Sequence, residues 1–107
     1  MTDHRDNVSV ADVPAEDRFV AQAEGSEAEL VYRVRGDHLF LIHTEVPEAL
    51  SGRGIGSQLV RAAIRRAESD DLTIVPWCPF ARRWLKEHPD EARGVRVDFT
   101  MPPPPED

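Results

Sequence analysis

The sequence predicts a single α+β domain: a mixed, mostly antiparallel sheet, one β-α-β crossover, and helices packed on the sheet. Three observations predict it. Alternating segments come first and are joined by turn residues, as in antiparallel hairpins. A short, nearly continuous apolar run follows, "HLFLIHTEV". A helical period then lies between that run and a second short apolar run, "LTIVP", which reads as strand, helix, strand with a right-handed crossover.

Taken in order, residues 1–16 are polar without a sustained period, apart from the apolar stretch Val8 to Val10, and are expected to be a mobile start. The domain is expected to occupy residues 17–99. Arg18 to Gly25 alternates weakly and reads as the first strand. Ala28 to Gly36 alternates better, with Leu30, Tyr32 and Val34 on one face and Val31, Arg33 and Arg35 on the other. A hairpin turn follows at Arg35 to Asp37, with Gly36 supplying a positive φ. His38 to Val46 is apolar enough to be a central strand covered on both faces, and Pro47 ends it.

A helix begins around Gly54 to Ser57, and Leu59, Val60, Ala63, Ile64 and Ala67 form its buried stripe. Ser69 to Asp71 breaks it. Leu72 to Pro76 is a buried strand. A second helix has Pro79 in its first turn, faces the core with Phe80, Ala81, Trp84 and Leu85, and stops at Pro89. Val95 to Phe99 reads as a last strand. Residues 100–107, "TMPPPPED", read as a disordered, Pro-rich acidic tail.

Composition excludes several classes of function. The chain has 107 residues and is 40% hydrophobic, enough for one domain with a thin core. It carries 20 acidic and 13 basic residues, a net charge of −7. That argues against a nucleic-acid partner, which needs a basic face. No apolar run reaches the length of a membrane span, and no basic-then-apolar leader opens the chain. Cys78 is the single cysteine, so an internal disulfide and a thiolate zinc cluster are both excluded. No metal site is expected, because His, Cys and carboxylates do not cluster at ligand spacing. A cytoplasmic location and a monomer are the expectations. Arg53, Arg61, Arg65 and Arg66, followed by Arg82, Arg83 and Lys86, make a locally basic patch. It suits a small anionic ligand, or is simply a solvated helix face.

The distinctive stretch is "GRGIG", Gly52 to Gly56, directly before the first helix. A dinucleotide fingerprint fails: counting six from Gly52 reaches Ser57, and from Gly54 it reaches Leu59. A P-loop fails as well, because the only lysine is Lys86. A helix start with unpaired N–H groups and glycines remains, and that can hold a phosphate across Arg53 to Ser57. A plain glycine turn with a helix cap is the alternative.

The flanking residues extend the pattern. Gly54 and Gly56 match the small positions of [RQ]-x-x-G-x-[GA], with Ser51 standing where Arg or Gln is usual. His43, Thr44, Val46 and Pro47 precede the loop; Pro76, Cys78, Phe80, His88 and Pro89 follow it. From Asp17 to Pro89 this resembles the acetyl-CoA-binding GNAT superfamily, in its small, single-domain YidJ/NATD-type N-acetyltransferases.

The resemblance implies a GNAT-like fold and an acetyl-CoA-dependent N-acetyltransferase with acetyl-CoA as co-substrate. The acceptor is an amine, conceivably on a protein or peptide, because the short chain leaves the acceptor side open. It implies a coenzyme site at Thr44, Glu45, Val46, Ser51, Gly52, Arg53, Gly54, Ile55, Gly56, Ser57, Cys78 and Phe80. Pantetheine would pair with the strand His43 to Val46, and an N–H of Glu45 or Val46 would stabilise the oxyanion. Many relatives use a tyrosine as the acid for the leaving thiolate, but Tyr32 lies on an early strand and Trp84 stands on the later helix. The catalytic candidates are therefore Cys78, as acid, base or acyl carrier, His43 as base, and Glu45. Inert packing for Cys78 and a structural hydrogen bond for His43 stay open, and His88 suits capping. The competing function is a CoA or acetyl-CoA binding module with little or no turnover.

Overall fold

A single sheet in the order β1-β2-β3-β4-β5 forms the scaffold of the computed structural model, which describes residues 8–102. The strands are β1 (Ser9–Val13), β2 (Arg18–Ala23), β3 (Ser26–Arg35), β4 (His38–Glu45) and β5 (Thr73–Pro76). The first four pair antiparallel, and β4 pairs parallel with β5. Helix α1 (Ile55–Asp70) makes the crossover between them, and α2 (Pro79–Glu87) follows β5. This is the α+β architecture that the segment order predicts. The hairpin turn at Gly36 also has its positive φ, 57°.

One apolar core joins the inward side chains of the sheet to both helices. Phe19, Leu30, Tyr32, Leu39 and Leu41 meet Leu59, Val60, Ala63, Ile64 and Ala67 of α1 and Ala81, Trp84 and Leu85 of α2. The stripe read from α1 is the face it buries. Phe80 departs from its expectation: it is 42% exposed. It sits one turn position ahead of Ala81, on the side that faces the loop before α1.

Two expectations for the strands are corrected. The sheet begins at Ser9, inside the segment expected to be mobile; residues 1–7 of that segment lie outside the described residues. Strand β1 has little apolar alternation because it is a short edge strand, inserting only Val10 and neighbouring Val8 against the core. A polar tie holds it instead: Asp12 accepts from the Tyr32 hydroxyl and from Arg66 Nη1 at 2.6 Å. Second, β4 is not covered on both faces. Leu39 and Leu41 are buried, but Ile42 is 37% exposed and Phe40 is only half-buried against Trp77, ring centroids 4.6 Å apart.

The last strand, expected at Val95 to Phe99, is reduced to one bridge, Val97 beside Ile74. The Ile74 N–H donates to the Arg96 carbonyl and the Asp98 N–H to the Ile74 carbonyl, both at 2.8 Å. The next rung would need an N–H on Pro76, which proline lacks, so the ladder stops. The chain beyond remains tied as far as Met101, whose carbonyl accepts from Trp77 Nε1 at 3.0 Å. The tail therefore starts later than residue 100, and residues 103–107 lie outside the described residues. No helix is long and apolar enough to cross a membrane, and no cluster of metal-ligating side chains occurs among the described residues.

Tyr32 is buried at 1% exposure against Phe19. Burial first, and the Asp12 carboxylate second, push its hydroxyl up to about 12, while Arg66 pulls the other way. A raised pKa means that the fold prefers the protonated phenol. Its contribution to stability is complete below the unfolded value of about 10 and is lost as pH rises through about 12. Because the chain has a single tyrosine, tyrosinate absorbance reads this group alone. The native protein should titrate near 12 and the denatured chain near ~10, with stability falling across that interval; a native midpoint near ~10 would show the hydroxyl to be free.

Candidate active site

The site begins with a fault in the β3–β4 ladder. Val31 faces His43 and Tyr32 faces Leu41, so Ile42 is an extra residue without a partner, a β-bulge. Residues opposite one another in a ladder share a face. Leu30 and Tyr32 point into the core, so their partners Thr44 and Leu41 do as well. Val31's partner His43 points to the opposite face, and Glu45 goes with it. In an unbroken strand the alternation from Leu41 would put His43 and Glu45 inward and Thr44 outward. The bulge inverts that assignment.

The same region is where β4 and β5 separate. Their parallel pairing ends at Leu41 beside Pro76, with one further bond from the Cys78 N–H to the Leu41 carbonyl at 2.8 Å. Strand β4 runs on to Glu45, while the chain after Pro76 turns into α2 with Pro79 in its first turn. A cleft of about 400 Å³ opens between the end of β4, the glycine loop and Phe80. Its walls are Thr44, Val46, Leu50, Ser51, Gly52, Gly54, Ile55, Gly56, Ser57 and Phe80.

The three loop glycines serve different ends. Gly52 and Gly54 have φ of 76° and 71°, the left-handed region that turns the chain into α1. Gly56 has an ordinary backbone, but a Cβ there would lie 2.6 Å from Phe80 Cζ. A larger residue at that position would push the exposed Phe80 ring off the first turn. Gly54 is the N-cap and has no side chain to bond the helix's first N–H groups; the first backbone bond of the helix runs from Gln58 N–H to the Gly54 carbonyl at 3.1 Å. The N–H groups ahead of it carry the positive end of the helix dipole toward the cleft. Ser57 adds a hydroxyl whose oxygen already accepts from Trp84 Nε1 at 2.8 Å.

Nine of the twelve expected coenzyme-site residues line this cleft. Glu45, Arg53 and Cys78 do not. Glu45 is turned away by the bulge, and Arg53 donates to Glu24 at 2.6 Å. Cys78 is buried at 3% exposure, with its Sγ 3.0 Å from Thr44 Oγ1; it reaches the cleft only through that hydroxyl. Leu50 is the lining residue that the sequence reading missed. It ends a 3-10 turn, Glu48–Leu50, which no period announces. Ser51, where a long polar side chain is usual, donates instead to the Glu48 carbonyl at 2.9 Å.

His43 and Glu45 stand together on the outer face, His43 Nε2 3.5 Å from Glu45 Oε1, with side chains 60% and 70% exposed. The basic patch does not reach the cleft. Arg61 makes two bonds to Glu91 at 2.7 and 3.0 Å, and these hold the Glu91 carboxyl below the usual range. Arg66 binds Asp12 and Asp70, and Arg82 donates to the Phe99 carbonyl at 3.0 Å. The cleft wall therefore contains no charged side chain, and its donors are backbone N–H groups and hydroxyls.

Comparison with known proteins agrees with this fold. Protein NATD1 of Gallus gallus is 38% identical over 75 residues, 67% of this chain and 68% of that protein. Protein NATD1 of Homo sapiens is 38% identical over the same length, covering 67% of this chain and 66% of that protein. The NMR solution structure of a GCN5-like protein from Staphylococcus aureus superposes with a TM-score of 0.65 at 25% identity, covering 89% of this chain and 95% of that one. The model of the GCN5-related N-acetyltransferases matches residues 18–94, a span that holds the bulged strand, the glycine loop and both helices. The chain belongs to the GCN5-related N-acetyltransferase family.

Proposed function

We propose that the protein transfers an acetyl group from acetyl-CoA to an amine, with the cleft as its coenzyme site. The observation that carries this reading is the neutral cleft itself: an uncapped helix start beside a strand edge that β5 has left. Dipoles at the helix start suit a pyrophosphate. The freed edge of β4 from His43 to Val46 suits the amides of pantetheine. An N–H near the bulge, on Glu45 or Val46, would meet the thioester oxygen as charge develops there, a contribution commonly worth a few kcal/mol.

Two proton transfers remain. The attacking amine must lose a proton, and we assign this to the exposed Glu45 with His43 beside it, on the face of β4 opposite the cleft, from which the acceptor would approach. The acceptor side would be the outer face of β4, where the side chains of His43 and Glu45 are exposed, which suits an amine presented by a peptide or protein. The departing thiolate must gain a proton. We assign this to Thr44, which gives its hydroxyl proton to the thiolate as the Cys78 thiol gives its own to Thr44 Oγ1. Cys78 caps α2, where the helix dipole favours the resulting thiolate until solvent returns the proton. The tyrosine used by many relatives has no counterpart, because Tyr32 is held by Asp12 and Arg66 in the core. That same fact favours the second reading, a coenzyme A binding module without turnover.

Acetyl-CoA at about 100-fold above its Kd should raise the melting temperature by roughly 10 °C, and ATP or NAD should not. No shift with acetyl-CoA or CoA would remove both readings. Turnover of acetyl-CoA with a panel of peptides and polyamines then separates enzyme from binder. In a turning-over protein, Cys78→Ala should lower kcat by about 100-fold, the low end of acid–base effects, with KM for acetyl-CoA unchanged. Full turnover in that variant would return Cys78 to a packing role.

A further inference from the structure

Trp84 is buried in the core on α2, yet its indole N–H leaves the core to bond Ser57 Oγ at 2.8 Å, on the first turn of α1. The ring is fixed from two sides. His88 stacks on it with centroids 4.1 Å apart at 17°, and the His88 Nδ1 lies 2.8 Å from the Trp84 carbonyl. Arg61 lies over it, 5.4 Å from guanidinium carbon to centroid, and is itself clamped by Glu91. An indole N–H can only donate, so Ser57 Oγ must accept there. The serine hydroxyl proton is thereby directed elsewhere, and Ser57 lines the cleft.

We propose that Trp84 is a positioning residue for the anionic end of the coenzyme, holding Ser57 as a hydrogen-bond donor to its phosphate groups. The inference rests on the proposed coenzyme site and adds a residue that does not itself touch the ligand. A serine hydroxyl left to rotate would bond a neighbouring backbone carbonyl part of the time, as Ser51 does with Glu48. The indole narrows that freedom by occupying one lone pair of the oxygen, which excludes the orientations that point the proton at the ring and favours a donor turned to the cleft. The clamp of Glu91, Arg61 and His88 holds the indole ring in place. The effect belongs to ligands that carry phosphate at this position and not to the pantetheine arm.

The test measures affinity and KM for acetyl-CoA and for S-acetylpantetheine, which lacks the phosphates. Ser57→Ala should weaken acetyl-CoA about tenfold, the size of one hydrogen bond to a charged group, and Trp84→Phe about threefold or more. Neither should alter the affinity for S-acetylpantetheine. Because both changes act through one hydroxyl, Trp84→Phe should cost nothing further in the Ser57→Ala background. Equal binding by Trp84→Phe and the parent protein, equal losses for the two ligands, or additive losses would each overturn the inference while leaving the coenzyme site standing. Failure of the parent protein to bind acetyl-CoA would overturn the site and the inference together. Should Trp84→Phe not fold, Ser57→Ala and Ser57→Thr decide alone: Thr must retain the selective affinity that Ala loses, and indistinguishable behaviour would refute the proposal.

Discussion

The parting of two parallel strands is the constraint on which the rest depends. Strand β5 has only four residues and ends in Pro76, while β4 continues past it. The N–H of Trp77, next in line to face β4, turns back to the Val75 carbonyl at 3.1 Å, and α2 begins three residues after Pro76. The bulge at Ile42 falls in the same stretch. Together they leave a strand edge without its neighbour, and they turn Thr44 inward and His43 and Glu45 outward. A fully paired sheet of the same length would have no cleft here and would present the opposite side chains to it.

The second consequence concerns charge. Arg53, Arg61 and Arg66 are bound to carboxylates of the same chain, and no charged side chain lines the cleft. The proposed anion recognition would then depend on oriented N–H groups at the start of α1 and on the Ser57 hydroxyl. Such donors are fixed by the backbone and need no reorganisation. They also leave the net charge of −7 compatible with an anionic ligand, because the relevant field is local.

Much of this was legible in the sequence. The amphipathic stripe of α1 and the strand–loop–helix order are regular patterns, and the motif residues from His43 to Pro89 located nine of the twelve expected cleft residues. The failures have physical causes. Strand β1 is held by a polar tie between Asp12, Tyr32 and Arg66, which leaves no apolar period. The bulge at Ile42 has no residue signature, since a nearly continuous apolar run reads the same with or without an extra residue; hence the wrong expectation that β4 is covered on both faces. The charge patch left two readings open because counting arginines does not show which carboxylates the fold brings to them, and Glu91 meets Arg61 only after the chain has passed through α2. The role of Gly56 was also hidden, for a glycine that admits Phe80 looks no different from one that admits a ligand.

The most direct measurement of the central claim is a backbone amide NMR titration with CoA. The account predicts that the largest shifts fall on Gly54, Ile55, Gly56 and Ser57 at the start of α1 and on Thr44 to Val46 at the end of β4, and that the hairpin at Gly25 stays unchanged. Saturating CoA that leaves those amides unmoved, or moves a different surface, would contradict it.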